Sequence, residues 1–141
     1  MTNQEAAFAR LIDEGFNKGN FDAWDDILPP EYAEHQFGMP TTREGFKKAI
    51  TGLRGAFPDL HLTIDEMVTS GDKVWARMTG RGTHKGTPFM GLAPSGKTFT
   101  ITVLDVCRFE NGKMVEHWGV PDQLALFRQI GGALGSPPAS R

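Results

Sequence analysis

A single cysteine, Cys107, occurs in the 141 residues of this chain. One thiol cannot close an internal disulfide, and it stands outside the paired spacing of a zinc site, so a disulfide-stapled fold and a zinc module are both excluded. Long apolar runs are lacking too. No stretch approaches the ~20 residues of a membrane span, and residues 1–20 mix charge with apolar residues instead of forming the apolar core of a signal peptide. Nor is charge of one sign in excess: 15 Lys and Arg against 17 Asp and Glu give a formal charge of −2. That balance lacks the basic stripe that nucleic acid or an anionic membrane requires. The four histidines are isolated, with neither HxH nor HExxH spacing, and no metal site is expected. GxSxG, P-loop and GxGxxG motifs are absent, so serine hydrolases and nucleotide or dinucleotide binders have no support. These absences lead to a cytoplasmic protein whose chemistry is cofactor-independent proton transfer.

The residues present pattern as one α+β domain over 1–135, with a flexible tail at 136–141. Phe8, Leu11, Ile12 and Phe16 recur at helical spacing behind a Thr2/Glu5 capping box, which predicts a first helix to about Gly19. Asn20 is placed to cap a short second helix carrying Phe21, Trp24, Ile27 and Leu28, and Pro29 and Pro30 end it. Tyr32 to Phe37 reads as extended. Thr41 and Glu44 form a second capping box ahead of Phe46, Ile50, Leu53 and Phe57, with Pro58 as the stop. From Leu60 the apolar period becomes two, giving strands on either side of Ser70-Gly71-Asp72, then a long Gly- and Pro-rich loop from Lys85 to Lys97. Strands Thr98 to Phe109 and Lys113 to Val120 flank Asn111-Gly112, a strong hairpin signal. Leu124, Phe127, Ile130 and Leu134 suggest a closing helix. Helices followed by a run of antiparallel strands predict helices packed on one side of a curved sheet, which can enclose a cavity.

The last hairpin carries the chemistry. Its first strand buries Phe99, Ile101, Val103, Asp105, Cys107 and Phe109 on one face, with a carboxylate in the middle of that apolar run. A buried carboxylate is costly unless it is paired, hydrogen-bonded or facing a polar cavity, which makes Asp105 a candidate acid or base. It can equally be a structural carboxylate satisfied by Arg108, a backbone group or a cross-sheet partner. The turn decides what faces it. A two-residue type I′ turn places Asp105 opposite Trp118, Cys107 opposite Glu116 and Ile101 near Asp122, gathering three carboxylates. A three-residue turn with a bulge at Gly112 places Asp105 opposite His117 instead. Asp122, after Pro121 and before the last helix, also suits an N-cap. His35 is either a pocket-wall group or an exposed loop histidine.

Several blocks resemble the SnoaL-like polyketide cyclase family: Arg43-Glu44-Gly45-Phe46, Ala56-Phe57-Pro58-Asp59-Leu60, Gly71-Asp72-Lys73-Val74, Gly82-Thr83-His84-Lys85-Gly86, Pro94-Ser95-Gly96-Lys97, and Arg108 to Lys113 running into Glu116-His117-Trp118-Gly119-Val120-Pro121-Asp122. The resemblance implies a cone-shaped α+β barrel of the ketosteroid-isomerase-like type around an apolar pocket, commonly a homo-oligomer, dimer or tetramer. It also implies intramolecular aldol ring closure of a polyketide ester without metal or cofactor. Asp122 matches the family's base by position, with Asp105 and His117 as helpers. His35, Phe37, Cys107, Glu116 and Trp118 are the residues expected to line the pocket against a small apolar molecule. The competing expectation is a non-catalytic domain that binds a small hydrophobic ligand or oligomerises.

Overall fold

Thr2 Oγ1 accepts the Glu5 N–H and starts the first helix, α1 (Asn3–Arg10), at the cap the sequence predicts. A computed structural model, which describes residues 1–135, provides the coordinates; the tail expected over 136–141 lies outside the described residues. The helix continues past Arg10 as a π-helical stretch, Leu11–Asn17. Trp24 Nε1 donates to the carbonyl of Leu11 at 2.9 Å, and a side-chain donor on a helix carbonyl suits such a widened turn. The next segment, Phe21–Asp26, is 3₁₀, and Asn20 bonds Glu14 through its side chain instead of capping it.

The extended segment shrinks to a two-residue strand, β1 (Ala33–Glu34). Thr41 is drawn into that segment, because its carbonyl accepts the Tyr32 N–H. Thr42 therefore caps the next helix, α2 (Arg43–Ala56), one residue later than the spacing predicts. Strands β2 (His61–Ser70), β3 (Lys73–Thr83), β4 (Thr98–Glu110) and β5 (Lys113–Pro121) follow, as the period of two predicts. The closing helix α3 (Gln123–Gln129) is shorter than expected, since Gly131 turns away at φ +106°.

The sheet order is β1-β5-β4-β3-β2. All neighbours are antiparallel except β1, which pairs parallel with β5. The α+β class and the N-terminal helices are as expected, but the sheet is mixed and open: β1 and β2 remain edges, so it does not close into a barrel. Among the described residues no helix is long and apolar enough to cross a membrane.

One face of the sheet meets the helices. Phe8, Ile12, Trp24, Phe46 and Ile50 pack there against Val74, Met78, Cys107 and Met114. A second cluster joins Phe57, Leu60, Phe99, Ile101, Leu126 and Ile130 where α3 crosses β4. Between the two clusters lies a cavity of about 310 Å³.

Candidate active site

The hairpin turn is of the two-residue kind, with Asn111 and Gly112 both at positive φ (50° and 77°) and Glu110 opposite Lys113. Neither expected register follows from it. Phe109 pairs with Met114, but Arg108 pairs with Glu116, so Val115 is an extra residue in β5. The bulge switches the parity of the strand. Met114, His117 and Gly119 can then all point inward, where they are buried. Without it, His117 would face out whenever Met114 faced in.

Asp105 consequently pairs with Gly119, and His117 with Cys107. The His-Asp contact forms diagonally: His117 donates from Nε2 to Asp105 Oδ2 at 3.0 Å. From Nδ1 it donates to Glu34 Oε2 at 2.6 Å, a partner that sequence reasoning missed. Parallel pairing of β1 with β5 sets Glu34 directly beside His117. Glu34, whose side chain is wholly buried, also accepts from the Tyr32 hydroxyl and the Gln36 N–H, each at 3.0 Å. Phe46 stacks over the His117 ring, and Trp24 stacks over Phe46, which holds the imidazole from the helix side.

Burial alone would push His117 toward its neutral form. The hydrogen bonds and negative charges of Asp105 and Glu34 outweigh that, and its pKa rises to about 10. His117 is thus an imidazolium at neutral pH with both N–H groups donated to carboxylates. Burial, and then the Glu34 charge, push Tyr32 up as well, so its hydroxyl stays a donor. Cys107 is pushed well above its ordinary range, by burial first and then by Asp105 and Glu34, and stays a thiol in the core.

This cluster closes one end of the cavity. Asp105, His117 and Gln36 line it; nearly all the other walls are apolar, among them Phe46, Ile50, Leu62, Phe99 and Ile101. Asp105 Oδ1 accepts no hydrogen bond among the described residues. A Cβ on Gly119 would lie 2.2 Å from Gln36 Oε1, 2.8 Å from His117 Cε1 and 3.2 Å from Asp105 Oδ1. Glycine is what lets these three groups converge.

The other expected pocket residues lie elsewhere. His35 stacks on Trp118 and bonds Glu116 at 2.7 Å, and Arg108 bonds Glu116 from the other side at 2.8 Å. That set occupies the opposite face of the sheet, so the three-carboxylate cluster does not form. Phe37 is fully exposed, at 101 %. The alternate residues of the same segment point in instead: Gln36 lines the cavity, and Glu34 is buried behind it on His117. Asp122 is exposed and caps α3, its Oδ1 accepting the Ala125 N–H at 3.2 Å. Its neighbours Pro121 and Gln123 line the cavity. Thr102 accepts the Asp122 N–H, so the backbones of Asp122 and Asp105 are about 10 Å apart along β4. Among the described residues, no group of three His, Cys, Asp or Glu side chains is arranged to hold a metal ion.

An open α+β sheet that carries an apolar cavity, closed at one end by a buried acid-histidine-acid cluster, defines a small-molecule pocket domain equipped for proton transfer. The family model described as SnoaL-like polyketide cyclase matches residues 6–130, and the chain belongs to that family. It is 30% identical to the aklanonic acid methyl ester cyclase DnrD of Streptomyces peucetius, with 100% of this chain and 99% of that protein covered. Among solved structures it superposes on TsrD from Streptomyces laurentii with a TM-score of 0.84 at 31% identity, covering 93% of this chain and 96% of that one. Wild-type IdmH from Streptomyces antibioticus gives 0.81 at 31% identity, with coverage of 92% and 99%.

Proposed function

We propose that this chain is an acid–base enzyme that closes a ring in a small, largely apolar ester or ketone by intramolecular aldol addition, without a metal or cofactor. The observation that carries the reading is Asp105: a carboxylate in an apolar cavity, held by His117 through one oxygen and with no hydrogen-bond partner among the described residues at the other. The full-length match to an ester cyclase supports the same chemistry. Asp105 Oδ1 takes the proton from the carbon alpha to a carbonyl, which leaves an enolate. The nucleophilic carbon attacks a second carbonyl of the same molecule, one C–C bond forms, and the resulting alkoxide recovers a proton. Substrate and product are isomers, with no redox step. His117 stays charged throughout and orients Asp105, and Gln36, which lines the same end of the cavity, carries the amide N–H that donates to the enolate oxygen.

In this reading Asp122 is a rim carboxylate that positions α3, although family position makes it the alternative base. Residues 1–135 act as one domain, and a cytoplasmic setting is supported by the lone cysteine kept as a buried thiol. Aklanonic acid methyl ester is the substrate to test first. Asp105→Asn is expected to lower turnover by about 10³-fold or more while leaving ligand binding within a few fold. Asp122→Asn retains a good cap and is expected to keep most activity. Abolished turnover in a folded Asp122→Asn protein, with Asp105→Asn active, moves the base to the rim.

A further inference from the structure

Glu34 takes no part in lining the cavity, yet its wholly buried carboxylate gathers three donors. Oε1 accepts from the Tyr32 hydroxyl at 3.0 Å, while Oε2 accepts both the His117 Nδ1–H at 2.6 Å and the Gln36 N–H at 3.0 Å. The backbone keeps the group in place: β1 pairs with β5 at Glu34 and His117, and the His35 N–H donates to the His117 carbonyl at 2.9 Å. For holding the ring alone, a neutral acceptor would serve the Nδ1–H with a smaller desolvation cost. The charge on Glu34 therefore calls for another explanation.

One proton lies between Asp105 and His117, whose facing atoms are 3.0 Å apart. A lone carboxylate–imidazolium pair in an apolar site can discharge itself: the Nε2–H bond breaks, the proton passes to Asp105 Oδ2, and both groups become neutral, because burial penalises separated charges. Asp105 would then be an acid where the reaction needs a base. We propose that Glu34 is the positioning residue that keeps this proton on His117 and off Asp105, so that the base stands ionised, while the same carboxylate holds Gln36 toward the cavity. With Glu34 ionised, discharge would strand its charge, wholly buried, beside a neutral ring, so the proton stays on the imidazole. The other neighbours of the ring do not alter this balance. Cys107, opposite it on β4, remains a thiol, Tyr32 remains a phenol, and α2 contributes the uncharged ring of Phe46. The assignment rests on Asp105 being the base.

Glu34→Gln tests this, since it removes the charge and keeps the size and an acceptor oxygen. Imidazole ¹⁵N NMR of the full chain between about pH 6 and 9 should show both His117 nitrogens protonated in the wild type and Nε2 without its proton in the variant. With aklanonic acid methyl ester, the acidic limb of kcat/KM should move up by about one pH unit or more in the variant. Near neutral pH its kcat should fall about 10-fold or more, with KM within about 3-fold. A folded variant whose ring stays doubly protonated over the wild-type range overturns the proposal. So does a ring that loses Nε2–H while the pH profile of turnover is unchanged. If the variant does not fold, ¹³C carboxyl NMR of the wild type at neutral pH decides: Asp105 and Glu34 should both be ionised, and a protonated Asp105 overturns the proposal. A wild type that leaves this ester unchanged counts against the cyclase reading, and Glu34 is then judged on the ring and carboxyl states alone.

Discussion

His117 and His35 lie on opposite faces of the same sheet edge, and each is bonded to carboxylate at nearly the same distance. His117 meets Glu34 at 2.6 Å and His35 meets Glu116 at 2.7 Å. Their surroundings make them different objects. Around His117 the side chains are 0% to 9% exposed, so neither the charges nor their partners can fall back on water. Around His35 the side chain is 43% exposed, and water competes for every bond. Distance alone therefore does not identify a functional pair. Burial and a cavity on one side are what set the His117 pair apart from the His35 pair.

The sharpest way to break that comparison is to remove each ring. His117→Leu strands two buried carboxylates without their cation and is expected to cost about 3–5 kcal/mol in urea unfolding. His35→Ala is expected to cost under ~1 kcal/mol, because Glu116 keeps Arg108 and solvent. Equal losses would mean that the two faces are energetically alike.

A second effect on the same ring comes from pH. The His117 pKa is raised from 6.5 to about 10 in the folded protein, so the unfolded chain releases this proton first. Its contribution to stability is complete below pH 6.5 and is lost as pH climbs through 10. Denaturation midpoints measured across that window should fall with rising pH in the wild type and lose most of that slope in His117→Leu.

The smallest effect separates two adjacent residues of β5. Gly119→Ala drives a methyl group into Gln36 and His117, with an expected cost of about 1–3 kcal/mol and a narrower polar end of the cavity. Val120→Ala, on the outer face, should stay within about 0.5 kcal/mol for the isolated chain. Circular dichroism melts at low protein concentration distinguish them.

Much of the fold was legible because its signals are local. The Thr2 cap, the amphipathic run of α2, the period of two in β2 to β5 and the Asn111-Gly112 turn each depend on residues a few positions apart. The inward face of β4 was legible for the same reason, and with it Asp105. The Val115 bulge was not, since nothing between Lys113 and His117 marks it; it is seen only in the pairing with β4, which buries Met114 and His117 together. The facing of residues 33–37 was also illegible. A two-residue strand has no alternation to read, and its parity is imposed by pairing with β5.

The sequence by itself determined the element order, the family and the buried carboxylate of Asp105, all properties of neighbouring residues or of ordered blocks. Only the tertiary structure decided that His117 lies between Asp105 and Glu34, whose partner is 83 residues away along the chain. It also turned His35, Glu116 and Trp118 to the outside. The physical reason is common to both: which way a strand residue points is set by the strand beside it and by what that pairing buries, and neither is encoded at the residue itself.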